Sequence, residues 1–297
     1  MNATTSPSDS ATADDMFASL VDSFLCIGTL TALQVTALIM FLLKNDTHMF
    51  SSFNVLLVSM GICLCGDYIF NGVIYMPAWS TGGTDLVTVT FYVIAYVAGN
   101  GPIVIYTILA YQRGMSIIGS RQYCLRLLLW WTLVLEVVLN VVSSVMGILQ
   151  YTVHSSAPET QSSLAEAGND IFIIASFLLS VFDILILYLF VIRVQGTHLA
   201  KETLLPQFAI ICSYGSLSSL LCLLSAAFSL AYFVFDTPWI TWILIASQIF
   251  LSGVWWAQIG MKIALVRASE RVTVANVPDI MKEGIGGCSS MQRMSPI

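Results

Sequence analysis

Charged residues are scarce throughout this sequence of 297 residues. Only 9% of them are Asp, Glu, Lys or Arg, whereas 57% are hydrophobic, and the mean hydropathy is +0.85. A soluble globular domain carries about 25% charged residues. The scarcity of charge excludes a chain that covers its own surface with water-compatible side chains, and it predicts a protein of the lipid bilayer.

The sequence also lacks the motifs of metal sites, disulfide frameworks and common catalytic sites. Its three histidines lie in three separate polar breaks, and its cysteines lie in or beside apolar stretches, apart from Cys288 near the C-terminus. No phosphate-binding loop of the form G-x-x-x-x-G-K-[ST] is present. We therefore expect no metal, no cofactor, no enzymatic activity and no nucleic-acid partner.

Seven apolar stretches recur along the chain and define its predicted architecture. They cover residues 17–43, 53–76, 86–111, 125–149, 171–192, 208–235 and 239–261. Each exceeds the roughly 20 helical residues that cross a hydrocarbon core of about 30 Å. Because unpaired backbone groups are costly in lipid, these stretches must be helices. The sequence predicts an all-α seven-helix transmembrane domain at 17–267, after a disordered tail at 1–16 and before a tail at 268–297.

The placement of basic residues predicts the orientation of this bundle. All eleven Lys and Arg lie in or beside the breaks after the odd-numbered stretches or in the C-terminal tail, whereas the other breaks and the first 16 residues hold acids. Positively charged loops stay in the cytoplasm. The N-terminus is therefore predicted outside and the C-terminus inside, and the sequon at Asn2 is a predicted glycosylation site in the outer tail.

Three acids interrupt the apolar stretches near the expected membrane midplane. They are Asp67, Glu136 and Asp183, and we expect no Lys or Arg at their depth. An ionisable side chain in lipid is costly, so it needs a proton, a hydrogen-bond partner or a bound cation. Asp67, Asp183, Asn71 and Asn100 form a predicted midplane polar group and a possible sodium site. Packing between helices through a protonated acid remains open as the alternative.

The outer half of the bundle contains aromatic and polar side chains that are typical of a small-molecule pocket. The predicted pocket residues are Tyr92, Tyr96, Asn100, Phe228, Tyr232, Trp242 and Gln248. Tyr92, Tyr96 and Asn100 are four residues apart and therefore share one helix face. The alternatives are an aromatic belt at the membrane interface and ordinary packing in the core.

The end of the third stretch is similar to a receptor motif. Ala110, Gln112, Arg113, Ile117 and Tyr123 match positions of the pattern that ends helix three in rhodopsin-like seven-transmembrane G-protein-coupled receptors. Asp67 falls where that family keeps a helix-two acid, often linked to sodium. With its seven stretches, the chain resembles this family and, within it, the divergent chemosensory receptors such as those expanded in nematodes.

The chain departs from the family pattern at several positions. Gln112 replaces an acid and Gly114 an aromatic residue, the third stretch begins without Cys, and the seventh lacks Asn-Pro-x-x-Tyr. No Lys lies in the middle of the seventh stretch, which argues against a retinal Schiff base. These departures favour the divergent chemosensory type within the family.

The resemblance implies a signalling role at a cell membrane, plasma or ciliary. A small ligand would bind in the outer half, and Gln112, Arg113, Ile117 and Tyr123 would form the switch that meets a heterotrimeric G protein. The basic inner breaks also suit anionic membrane lipids. A proton-coupled transporter that uses the midplane acids is the alternative.

Overall fold

The computed structural model describes residues 7–45, 51–74, 86–118, 123–152, 158–196, 205–235 and 240–288, and these residues form seven helices. The helices are α1 (Pro7–Asn45), α2 (Ser52–Ile74), α3 (Leu86–Ile117), α4 (Tyr123–Thr152), α5 (Pro158–Gly196), α6 (Leu205–Val234) and α7 (Ile240–Cys288). Within these ranges no strand occurs. All seven helices contain a segment long and apolar enough to cross a membrane. The predicted all-α seven-helix architecture is confirmed.

Three helices extend about ten residues or more beyond the predicted apolar stretches. Helix α1 begins at Pro7, within the segment predicted as a disordered tail, α5 begins at Pro158 rather than near 171, and α7 continues to Cys288. Proline is favoured at the first helical position because its missing N–H would have no intrahelical partner there. The segment after Pro158 is also rich in Ala, Glu and Gln, which are good helix formers. Hydropathy locates the lipid-crossing part of a helix but not its polar ends.

The helices pack mainly against their neighbours in sequence. Helix α3 also contacts α5, so it touches α2, α4 and α5, and contacts between α2 and α7 join the first and last parts of the chain. Large apolar side chains such as Leu33, Met40 and Val181 face outward, more than half exposed. Buried polar side chains lie inside the bundle. An apolar exterior around a partly polar interior is the arrangement expected in a bilayer.

One buried tryptophan fixes the junction between α2 and α7. The Trp255 side chain is 1% exposed, and its Nε1 donates a hydrogen bond to the backbone oxygen of Leu57 at 2.9 Å. A Cβ added at Gly61 would lie 2.5 Å from the Trp255 ring and 2.7 Å from Val35 on α1. The absence of a side chain at Gly61 therefore lets three helices meet closely.

The bundle has two ends that differ in what they contain. We call the end where α1, α3, α5 and α7 begin, and where α2, α4 and α6 finish, the N-terminal end. Sequence places it outside the cell, and this orientation remains a prediction. The cavity described below lies toward this end, and Arg113 lies toward the opposite one.

Candidate functional site

A buried ion pair joins α3 to α5. Nη2 of Arg113 lies 2.8 Å from Oδ1 of Asp183, and the two side chains are 14% and 2% exposed. The guanidinium carbon of Arg113 also lies 5.6 Å from the centre of the Tyr106 ring. A charge-assisted bond of this kind in a low-dielectric interior is much stronger than a pair at a surface.

A hydrogen-bond network surrounds this pair and extends to two more helices. The hydroxyl groups of Tyr106 and Ser219 donate to Oδ2 of Asp183, at 2.6 and 2.5 Å. Ser218 lies 2.9 Å from the Tyr106 oxygen and accepts from Nε2 of Gln258 on α7 at 2.9 Å. Both carboxylate oxygens of Asp183 are thus satisfied, and the network holds α3, α5, α6 and α7 in one arrangement.

The expectation that no cation reaches the midplane acids is wrong for Asp183. Counting residues gives the depth of the Arg113 backbone, whereas its side chain extends back toward Tyr106, two turns earlier on α3, and donates to the Tyr106 oxygen at 3.3 Å. Side chains in an α-helix point toward its N-terminus. On α3 that direction leads into the bundle, so the guanidinium lies deeper than its own Cα.

A cavity of about 1180 Å³ occupies the bundle toward its N-terminal end. Side chains from all seven helices line it. Its walls are largely apolar or aromatic, with a few polar groups directed inward, as small-molecule sites usually are. Two acids, Asp22 and Asp67, line it, and no Lys, Arg or His does so within the described part of the chain.

Asp67 is held against the cavity wall by a neighbour on its own helix. Nδ2 of Asn71 donates to Oδ1 of Asp67 at 2.7 Å and to its backbone oxygen at 2.9 Å. A Cβ at Gly99 would lie 2.9 Å from the same Oδ1, so the carboxyl group packs directly on α3. Oδ2 of Asp67 is buried and has no hydrogen-bond partner among the described residues.

Five of the seven predicted pocket residues line the cavity. They are Tyr92, Tyr96, Asn100, Tyr232 and Gln248. Phe228 and Trp242 are not among the lining residues. The Phe228 ring packs on Phe250, with 5.2 Å between ring centres, and the Trp242 side chain is 53% exposed. On this geometry Phe228 is a packing residue, and Trp242 faces the surface, where amphipathic rings suit the membrane interface.

Comparisons of the chain with protein-family models, curated proteins and solved structures find no match.

The predicted midplane polar group divides into two sites. Asp67, Asn71 and Asn100 line the cavity, whereas Asp183 belongs to the Arg113 network. The third midplane acid, Glu136, is fully buried and accepts from Nδ2 of Asn140 at 3.3 Å. No cluster of three His, Cys, Asp or Glu side chains suited to a metal ion occurs in the described ranges.

The other predicted switch residues occupy different environments from Arg113. Gln112 is half-buried on α3, and Tyr123 is 71% exposed at the start of α4. Ile117 ends α3, but its side chain lies outside the described residues, as does Asn2. The switch roles of Gln112, Ile117 and Tyr123 and the glycosylation of Asn2 remain predictions.

Sequence reasoning missed the partners that surround the ion pair. Tyr106, Ser218, Ser219 and Gln258 are all buried. Two signals were present: Tyr106 precedes Arg113 by seven residues, two helical turns on one face, and Gln258 is a polar residue within an apolar stretch. Neither signal reveals the long-range partner, because Arg113 and Asp183 are 70 residues apart.

Proposed function

We propose that this protein is a membrane receptor in which a small ligand in the cavity releases Arg113 from Asp183 and so activates a heterotrimeric G protein. The observation that supports this most is the position of the buried ion pair: it lies directly beneath the cavity, on helices that also form the cavity wall. The divergent chemosensory type and a plasma or ciliary membrane location belong to the same proposal.

The cavity floor and the ion pair are separated by one helical turn. The lining residues farthest from the N-terminal end are Ile103 on α3, Leu179 on α5 and Cys222 on α6. Three or four residues farther from that end lie Tyr106, Asp183 and Ser219, all members of the network. One turn of helix is about 5.4 Å. A rotation or tilt at the floor therefore moves the donors that hold Asp183.

A ligand would act by preferring one of two helix arrangements. It shifts their populations only as far as its affinity for the two differs. In the arrangement described here, Asp183 on α5 accepts three hydrogen bonds at once, two from α3 and one from α6. Displacing α3 or α6 against α5 breaks some of these bonds. The freed guanidinium can then turn toward the aqueous end of the bundle, because a long Arg side chain readily places its charge in water.

A proton-coupled transporter remains a second candidate, and two buried acids favour it. Oδ2 of Asp67 and Oε1 of Glu136 are buried without a hydrogen-bond partner among the described residues. Acids inside a membrane domain often carry protons in transporters. A cavity that lies toward one end of the bundle, with an ion pair beyond its floor, is also the form expected of a transporter whose substrate site faces that side.

A functional screen separates these candidates. The protein is expressed in cells with a promiscuous G protein, candidate ligands are applied, and nucleotide exchange is measured. We expect a ligand-dependent response that disappears in Arg113→Gln at equal surface expression. Glutamine keeps a polar N–H group at position 113 but has no positive charge to pair with Asp183.

The same ligands are then tested in sealed vesicles with an imposed pH gradient. A receptor gives nucleotide exchange without accumulation of the ligand inside the vesicle. Accumulation driven by the gradient, together with no exchange on any G protein, would overturn the proposal in favour of the transporter.

A further inference from the structure

Three residues that line the cavity each hold a buried hydrogen-bond acceptor for which the described part of the chain supplies no donor. The acceptors are Oδ2 of Asp67 on α2, Oδ1 of Asn100 on α3 and Oε1 of Gln248 on α7, each buried without a partner among the described residues. All three residues line the cavity. Leaving a buried acceptor unpaired is unfavourable, and more so when the group is charged. Three such atoms around one cavity indicate a site built for hydrogen-bond donors.

The orientations of two of these side chains are fixed by their own bonds. Nδ2 of Asn100 donates to Oγ of Ser144 at 2.7 Å and to the backbone oxygen of Tyr96 at 3.2 Å. The Ser144 hydroxyl donates onward to the Asn140 backbone oxygen at 2.9 Å, so it must accept from Asn100. Turning the Asn100 amide over would place its oxygen against two acceptors. Asn71 fixes Oδ1 of Asp67 in the same way and leaves Oδ2 unpaired.

The charge of the cavity excludes an anionic ligand. Its described lining contains Asp22 and Asp67 and no cationic side chain. A carboxylate or phosphate would meet these acids without a compensating donor of positive charge. A neutral ligand would leave an ionised Asp67 without an opposite charge in a low-dielectric site, so the acid would have to take up a proton, whereas a cationic ligand pairs with it directly.

Aromatic rings complete the site. Six line the cavity, at Phe24, Tyr92, Tyr96, Phe172, Tyr232 and Phe233. Faces of such rings attract organic cations, and they also pack against the apolar part of a ligand. The volume of about 1180 Å³ exceeds what a bare metal ion needs and lies slightly above the usual range of organic-ligand pockets, which ends at about 1,000 Å³.

We propose that the cavity binds an organic cation whose ammonium group pairs with Asp67 and whose further N–H or O–H groups donate to Asn100 and Gln248. This inference rests on the proposed function only in taking the cavity as the ligand site. It assigns the chemical class of the ligand. It also assigns, for each of the three acceptors, the ligand group that donates to it.

The test compares charged and neutral ligands of the same skeleton. Full-length protein in lipid nanodiscs is titrated with a series of aryl-alkyl amines, with and without a further hydroxyl group, and with the matching alcohols, beginning with 2-phenylethylamine and 2-phenylethanol. Affinity is measured by calorimetry and by the shift in the thermal unfolding midpoint. No G protein is present, so the result is independent of whether the protein signals.

Three variants are measured with the same ligand pairs. Asp67→Asn keeps the shape of the side chain and removes its charge, and we expect amine binding to weaken at least about tenfold while alcohol binding is unchanged. Gln248→Met removes the acceptor on α7 and should weaken amine binding by a smaller factor. Asp170→Asn neutralises an exposed acid at the same end of the bundle, outside the cavity lining, and should leave both affinities unchanged.

Several results would overturn the proposal. Amines and alcohols that bind equally well, or amines that bind Asp67→Asn as tightly as wild type, would show that Asp67 does not select a cation. Failure of the whole amine series to bind would reject the ligand class. Stabilisation by NaCl over KCl that depends on Asp67, without amine binding, would assign Asp67 to a metal ion instead. If amines bind as expected but never cause nucleotide exchange, the ligand class stands and the receptor proposal fails.

Discussion

At the scale of single residues, Arg113 and Asp183 differ in how well each tolerates losing the other. Asp183 is 2% exposed and is surrounded by α3, α5 and α6, whereas Arg113 is 14% exposed and lies near the end of its helix. A long cationic side chain near a helix end can move its charge to the interface. A carboxylate in the middle of a helix cannot. Loss of the arginine is therefore the more damaging change.

A double-mutant cycle tests this asymmetry. Removing one partner of a buried ion pair costs about 3–5 kcal/mol, because the other charge is left buried. We expect Arg113→Gln to lower the free energy of unfolding by about this amount, and Asp183→Asn to lower it by less. The double variant should be more stable than the sum of the two single effects predicts. The measurement is reversible unfolding in mixed micelles.

Additive effects would contradict the cycle, since residues that do not interact give additive changes in stability. The buried pair also changes what is expected of Arg113→Ala. A role of Arg113 in the switch alone would predict that this variant keeps its surface expression and loses only signalling. The structure adds a stability cost, so signalling of Arg113 variants has to be compared at equal amounts of folded protein.

At the scale of the helices, close approach depends on glycines that face large aromatic rings. Gly61 lies beneath Trp255, and Gly147 lies against the ring of Tyr96, whose oxygen accepts from Nε2 of Gln150 at 2.8 Å. The first contact joins α1, α2 and α7, and the second positions a cavity-lining ring between α3 and α4. Small residues at helix contacts let backbones approach closely in membranes.

The substitution Gly61→Ala tests the first contact. Its methyl group would overlap the Trp255 ring, which is 1% exposed and is tied to Leu57. We expect a loss of about 1–3 kcal/mol in unfolding free energy, as for other overpacked cores. Gly66→Ala is the milder comparison on the same helix, because its Cβ would lie 3.3 Å from the Cβ of Ala98, which a shift of a few tenths of an ångström relieves. Equal stability of the two variants would show that Trp255 is free to move.

The helices also show where sequence reasoning works and where it stops. The seven spans were predictable because lipid requires continuous apolar helices, so long runs of apolar residues mark their positions in the sequence. Tyr92, Tyr96 and Asn100 line the cavity together because four-residue spacing puts their side chains on one face of α3. The Arg113–Asp183 contact was not predictable, because it depends on how α3 packs against α5. Phe228 and Trp242 were placed on the correct helices, but neither faces the cavity, since spacing fixes which residues share a face and not which neighbour that face meets.

At the scale of the whole molecule, the described residues form seven helices that are long and apolar enough to cross a membrane, and seven crossings would put the two ends of the chain on opposite sides. The positions of the basic residues predict which side is which. Short epitope tags at each end, probed in intact and permeabilised cells, test this directly. We expect the N-terminal tag to be stained in intact cells and the C-terminal tag only after permeabilisation. Staining of both tags in intact cells would contradict the topology on which the receptor proposal depends.

The central claim is that the Arg113–Asp183 pair holds the bundle in its inactive arrangement. The most direct test is ligand-free nucleotide exchange on a G protein by the reconstituted Asp183→Asn variant. Asparagine can still accept from Tyr106 and Ser219 but no longer holds Arg113 by charge, so we predict exchange at least about fivefold above wild type, with Asp170→Asn at the wild-type level. Folded Asp183→Asn protein that exchanges nucleotide no faster than wild type would contradict the account.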